Sequence, residues 1–282
     1  LLKSAQVFDY LKHAEDYGLT IKEYDKDFKS VISRSREVAA GMSKGVQYLM
    51  KKNKIDIING HGKVLPGKKV SVFNGKKTNE YAAKHIIIAT GARSRELPSI
   101  PQNGKNIIGY RKAMTLEKQP KKLVVIGSGA IGIEFAYFYN TMGTEVVIVE
   151  YLDRILPVED EEVSKQLERS FKKSGIKIFT NAEVKKVDIK NKSVDVTIKT
   201  KSNEEILNAD IVLSAIGIKT NIENIGLEDV GIAIDNDKII VNNFYQTNLP
   251  GYYAIGDVTR GQSLAHVASA EGILCVEKIA GH

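Results

Sequence analysis

The run Gly127-Ser128-Gly129-Ala130-Ile131-Gly132 lies between an apolar stretch, Leu123 to Ile126, and a segment with helical periodicity. Glycines at these three places suit a diphosphate. Gly127 permits a tight turn, Gly129 lets the backbone approach the anion, and Gly132 allows close contact between helix and strand. A helix starting at Ala130 then turns unpaired N–H groups toward the ligand. Glu150 closes the next apolar strand, 18 residues after Gly132. A carboxylate there accepts hydrogen bonds from both ribose hydroxyls and repels a 2′-phosphate. Tyr151 and Leu152 follow it and the first arginine is Arg154, so the pattern favours NAD over NADP.

Two further segments suit a second nucleotide. Ile86-Ile87-Ile88-Ala89-Thr90-Gly91 is an apolar strand ending in a small-residue turn, which allows backbone approach to a ligand. Tyr253-Ala254-Ile255-Gly256-Asp257 ends a second strand in an aspartate, with Leu264-Ala265-His266 opening the next helix. Such an aspartate can accept hydrogen bonds from a sugar-alcohol chain while helical N–H groups hold a polar ring edge. Taken alone, the first reads as an ordinary strand end and the second as a cap. Cys275, among Ile273, Leu274 and Val276, predicts a buried structural thiol. A single cysteine excludes an internal disulfide, a thiolate metal cage and cysteine-pair redox chemistry within this chain.

The elements that position these residues follow from periodicity. Leu2, Val7, Leu11 and Ala14 predict an opening helix to Tyr17, stopped by Gly18 and without an N-cap residue, which reads as a piece of a longer chain. A longer helix is expected from Asp27 to Lys52, with Val31, Val38, Met42, Val46 and Leu49 on one stripe. Strands are expected at Ile55–Ile58, Val70–Phe73 and His85–Ala89, then a crossing segment over 96–122. From Lys121 strand and helix alternate: Leu123–Ile126, Ala130–Met142, Val146–Val149, Glu161–Lys173 and Ile176–Phe179, a parallel βαβαβ unit. The stripe Val163, Leu167, Phe171 should face its sheet. A meander follows, Val184–Ile189 and Val194–Ile198, turning through Lys190-Asn191-Lys192, before strand Ile211–Ile216. Ile239–Val241, Tyr252–Ile255 and a helix from Ser263 complete the pattern.

With 282 residues, 43% apolar and 27% charged, the chain reads as globular with room for two domains. Its 41 basic and 34 acidic residues give +7, but the lysines come in scattered pairs such as Lys51-Lys52 and Lys76-Lys77, so no nucleic-acid stripe is expected. No apolar run approaches the ~20 residues of a membrane span, and the first residues do not read as a signal peptide. A reducing compartment is the default, the cytoplasm, or the mitochondrion in a eukaryotic source.

Gly127–Glu134, Val149–Pro157, Thr247–Asp257 and Leu264-Ala265-His266-Val267-Ala268 with Glu271-Gly272 together resemble the flavoprotein disulfide reductases, the pyridine nucleotide-disulfide oxidoreductases. The resemblance covers essentially the whole chain. It points most closely to the lipoamide branch, the dihydrolipoyl dehydrogenases, through the Leu152-Asp153 step and Leu264-Ala265-His266. It implies two Rossmann-like three-layer α/β domains. The expected boundaries are 1–112 for the first part of an FAD domain, 113–240 for an inserted NAD domain, and 241–282 for the second FAD part. It implies NAD contacts from Gly127, Ser128, Gly129, Ala130, Ile131, Gly132, Glu150, Val184 and Gly217, with Glu134 close to nicotinamide and flavin. FAD would be lined by Gly62, Thr90, Gly91, Ala92, Asp257, Ser263, Leu264, Ala265 and His266. The reaction implied is FAD-dependent oxidation of protein-bound dihydrolipoamide with hydride transfer to NAD. The implied partners are the lipoyl domain of a 2-oxoacid dehydrogenase or glycine cleavage complex and a second copy of the enzyme.

Three family features have no match in this sequence: an N-terminal glycine fingerprint for FAD, a Cys-x4-Cys disulfide, and a C-terminal dimerisation domain with a His-Glu pair. The sequence therefore predicts no catalytic redox pair and no metal site here, an inactive fragment, and a colourless protein. Another disulfide reductase of the same fold, of glutathione, mercuric or transhydrogenase type, and a non-catalytic NAD-binding module are the alternatives.

Overall fold

The computed structural model describes residues 1–191 and 193–282; Lys192, in the expected meander turn, lies outside them. In chain order the elements are α1 (Leu2–Lys12), α2 (Phe28–Lys52), β1 (His61–Leu65), β2 (Lys69–Phe73), β3 (Thr78–Ala82) and β4 (Ile86–Ile88). Then come β5 (Ala92–Ser94), β6 (Ile107–Ile108), α3 (Tyr110–Ala113), β7 (Lys122–Ile126), α4 (Ala130–Thr141), β8 (Glu145–Val149), α5 (Glu161–Lys173) and β9 (Lys177–Phe179). After β10 (Glu183–Ile189), β11 (Val194–Lys199), β12 (Glu204–Ala209) and β13 (Ile211–Ser214) follow β14 (Ile218–Thr220), α6 (Leu227–Val230), β15 (Ile234–Asp235), β16 (Lys238–Ile239), β17 (Tyr252–Ala254) and α7 (Ala265–Ala280).

Contacts divide these elements into two units, Leu1–Gln47 with Ser94–Gly217, and Tyr48–Arg93 with Ile218–His282. In chain order the two units alternate, each being made of two separate stretches. Residues 94–112 join the first unit through the pairing of β6 with β13, and Ile239 belongs to the core of the second.

In the first unit five strands run parallel in the order β6-β13-β7-β8-β9. Leu123–Ile126 and Val146–Val149 are buried throughout, as strands covered on both faces must be. One face meets α4, with Ala5, Phe28 and Ile32 packed against Phe138, Tyr139 and Met142. The other meets the antiparallel sheet β10-β11-β12, whose Val194, Val196 and Ile198 pack on Val124, Ile126, Val147 and Val149. The Tyr139 hydroxyl donates to Ala113 O at 2.6 Å, and burial pushes its phenol pKa up. Asp160 caps α5 by accepting from Glu162 N and Val163 N, and Lys172-Lys173 end it as the dipole prefers.

The second unit is built on shorter ladders. Antiparallel β1-β2-β3 and the parallel pair β4–β17 surround a core of Val64, Ile86, Ile88, Ile225, Ile239 and Ala254. Ile87 is exposed, since only one face of its two-stranded pair is covered. Cys275 is buried as expected, and burial pushes its thiol pKa up.

Several expectations differ from the structure. Residues 55–58 form no strand; no ladder partner meets them among the described residues, and all three isoleucines are exposed. α1 buries Ala5 rather than Leu2 and Val7, because its small residue lets it approach α4. α2 buries only its first part, through Phe28, Ile32 and Ser35, while Val38, Met42, Val46 and Leu49 are exposed. Val163 is exposed on α5, and Ile273, Leu274 and Val276 are exposed around Cys275. The segment expected only to cross supplies β6, the meander gains β12, and α7 starts at Ala265 rather than Ser263.

Candidate functional site

The glycine turn after β7 shows why two of its residues have no side chain. A Cβ at Gly127 would stand 2.6 Å from Ala215 O, and one at Gly132 would stand 2.1 Å from Gly127 O. Gly127 also has φ +93°, which L side chains rarely adopt. At Gly129 a Cβ would meet nothing within 4 Å, so that face of the turn is open. Gly129 is the N-cap of α4 and the helix carries no side-chain cap there. Its first N–H groups are therefore free of the usual side-chain acceptor, which suits an anion. Since β13 and β7 are neighbours while β6 lies beyond β13, the turn leaves the carboxyl ends of the strands where the chain order reverses, the usual ligand crevice of such sheets.

Glu150 is 7% exposed and is held by three donors. Its Oε2 accepts from Ser128 N at 2.8 Å and Ser128 Oγ at 2.6 Å, and its Oε1 accepts from Leu152 N at 2.8 Å. Leu156 N donates to Ser128 O at 3.0 Å, so the loop after β8 is fastened to the glycine turn from both sides. Ile155 between these contacts is fully buried, which accounts for the apolar residues of the Val149–Pro157 stretch. Arg154 turns to its own loop, with Nη2 3.3 Å from Pro157 O and Nη1 4.0 Å from Asp153.

The other residues expected around this site lie in the same unit. Gly217, exposed and at φ +108°, follows β13 just beyond Ala215; Val184 is partly buried on β10. Glu134, one turn into α4, is exposed and lines a cleft of about 550 Å³ with Arg34, Arg36, Tyr110, Met114 and Phe135. The two arginines carry no sequence signal, because only the fold of α2 brings them to Glu134.

The residues expected for a second nucleotide fall in the second unit. β4 and β17 run parallel, so Thr90-Gly91-Ala92 and Asp257 leave the same end of the pair. Gly62, on β1, and Thr90 line a cleft of about 430 Å³ with His61, Arg93, Asn221 and Glu223. Gly91 has φ +68°, and a Cβ there would meet nothing within 4 Å. Thr90 Oγ1 donates to Asn221 O at 2.7 Å, Asn221 Nδ2 returns a bond to Thr90 O at 3.0 Å, and Asn221 N donates to Gly91 O at 2.9 Å. The Arg93 guanidinium grips both oxygens of Glu223, at 3.0 and 2.7 Å. Hydrogen bonds from Arg93 and then Lys219 hold the Glu223 carboxyl well below the usual carboxylate range. Ser263, Leu264, Ala265 and His266 are exposed at the start of α7.

The Asn221 clasp escapes sequence reasoning because it joins positions 131 apart in the chain. So does Glu271, which is buried on α7 and accepts from Gly256 N, holding the turn before Asp257. Only its place in the Glu271-Gly272 motif hints at it.

Comparison with known proteins gives a consistent result. The description "Pyridine nucleotide-disulphide oxidoreductase" matches residues 7–272. The chain is 45% identical over 298 residues to a dihydrolipoyl dehydrogenase of Rhizobium etli and 44% identical over 285 residues to one of Zymomonas mobilis; both alignments cover 100% of this chain. They span 62% and 61% of those relatives, so the chain corresponds to about three fifths of their length. Among solved structures, LpdA of Mycobacterium tuberculosis matches 100% of this chain and 61% of its own, with TM-score 0.91 and 28% identity.

Proposed function

We propose, from the premise that the chain belongs to the pyridine nucleotide-disulphide oxidoreductase family, that it supplies the dinucleotide-binding units of a dihydrolipoyl dehydrogenase. The observation that carries this reading is the turn at Gly127–Gly132, where two glycines leave no room for a Cβ, a third faces open space, and Glu150 is held against the same turn. That cradle fits a dinucleotide diphosphate with a carboxylate for its ribose. Gly127, Ser128, Gly129, Ala130, Ile131, Gly132 and Glu150 would hold NAD, with Val184, Gly217 and Glu134 beside it. Gly62, Thr90, Gly91, Ala92, Asp257 and Ser263–His266 would hold FAD, and the open, positive-φ turn at Gly91 fits close backbone approach there.

Bound together, the two cofactors supply a two-electron path from a dithiol to NAD. The tasks of this chain's own residues are binding and orientation. Glu150 accepts a ribose hydroxyl at its one open position and excludes a 2′-phosphate, and the N–H groups of α4 neutralise diphosphate charge. In the whole protein the net reaction is dihydrolipoamide plus NAD⁺ giving lipoamide, NADH and a proton. The dithiol is borne by a lipoyl domain of a 2-oxoacid dehydrogenase or glycine cleavage complex, and the whole enzyme works as a homodimer. With one cysteine, which is buried, this chain holds no dithiol couple of its own.

Titrating the chain with NADH and NADPH, followed by fluorescence, tests the reading. NADH should bind in preference, and Glu150→Ala should weaken it by about tenfold, the size of a hydrogen bond to a charged group. Equal binding of both nucleotides by the wild type, or an Glu150→Ala variant that binds NADH unchanged, overturns it.

A further inference from the structure

The carboxylate of Glu150 has about four lone-pair sites, and the chain itself fills three. Ser128 takes both positions on Oε2, through its amide and its hydroxyl, and Leu152 N takes one on Oε1. One acceptor position, on Oε1, is left over. Ser128 has no exposed surface, and its backbone is tied by its own carbonyl to Leu156 N, while Gly127 N donates to Val149 O at 2.9 Å. The hydroxyl therefore starts from a fixed point. Without the hydroxyl, Ser128 N and Leu152 N would hold one oxygen each, and both oxygens would keep an acceptor position open. The hydroxyl fills the open position on Oε2, which leaves Oε1 with the one acceptor position still available.

We infer that Ser128 is a positioning residue for nucleotide selection: its hydroxyl locks Glu150 so that Oε1 is the acceptor kept for the ribose of a dinucleotide with a free 2′-hydroxyl. This rests on the dinucleotide reading of the Gly127–Gly132 turn. The fingerprint itself makes no demand on the side chain at its second position. Here that position carries a buried hydroxyl matched to an acid 22 residues away.

The test is a double-mutant cycle on the full 282-residue chain, with NADH and NADPH as probes and circular dichroism as the folding control. Ser128→Ala should lower the NADH-over-NADPH preference on the order of fivefold, the size of one net hydrogen bond. Ser128→Gly, which removes the hydroxyl without adding volume at this buried position, should show the same loss and decides the question if Ser128→Ala does not fold. In a Glu150→Ala background, Ser128→Ala should change nothing further, because the hydroxyl acts only through the carboxylate. A preference unchanged in both Ser128 variants, while Glu150→Ala abolishes it, overturns the inference and leaves the dinucleotide reading standing. A preference unchanged by Glu150→Ala, or no binding of either nucleotide to the wild type, overturns the reading and the inference with it.

Discussion

The turn after β7 and the turn after β4 both leave a parallel strand through a glycine with positive φ, +93° at Gly127 and +68° at Gly91. Around Gly127 the fastening is buried: Ser128 and Glu150 are 0% and 7% exposed, and neighbouring backbone stands where Cβ atoms would be. Around Gly91 it is exposed, a clasp of Thr90, Asn221, Arg93 and Glu223 with open space beside the glycine. The first turn sits on a five-stranded sheet covered on both faces, the second on a two-stranded pair. Burial decides which interaction can serve. A buried carboxylate with three donors is unscreened by salt and costly to break, whereas an exposed ionic grip is screened and contributes little by itself.

The largest expected contrast comes from adding one methyl group. Gly132→Ala should destabilise its unit by about 3 kcal/mol, because the obstruction is backbone and cannot give way. Gly91→Ala should cost about 1 kcal/mol, from backbone conformation alone. Chemical denaturation of both variants reads this, and equal costs would erase the distinction between the turns. Next, Glu150→Ala strands three donors and should cost about 2 kcal/mol. The same measurement in high salt should leave that cost unchanged.

Asn221→Ala removes two side-chain bonds of the clasp, from Nδ2 to Thr90 O and from Arg93 Nη1 to Oδ1, and on this exposed surface should cost about 1 kcal/mol. Faster hydrogen exchange at the Asn221 amide, bonded to Gly91 O, is the local readout. Protection equal to wild type would mean that the turn holds without the clasp. The smallest effect belongs to the Arg93–Glu223 pair. Glu223→Gln should cost less than about 1 kcal/mol and should lose that cost in high salt. The Glu223 carboxyl titrates below its usual range, so the stability it adds is complete above the ordinary carboxylate pKa of 4.5 and is lost as pH falls below it. A wild-type minus Glu223→Gln difference that grows on acidification would have the wrong sign for this account.

Much of this molecule was legible in its residues. The three glycines, Glu150 and the alternation after Lys121 specified the parallel unit and its crevice, because a Cβ-free turn, a strand-end acid and the period of an amphipathic helix are local features. α5 was readable to the residue, from Glu161 to Lys173. What local pattern could not decide was which apolar residues find a partner. Val38, Met42 and Val46 follow the same helical rule as Phe28 and Ile32, yet only the latter meet α4. Ile55, Ile57 and Ile58 look like a strand, but a strand exists only where a second one offers its N–H and C=O groups. Tertiary structure likewise created the Ser128 donors on Glu150, the arginines beside Glu134 and the clasp of Asn221 on Thr90. Each joins atoms far apart in the chain, and a hydrogen bond depends on distance in space rather than on position in sequence.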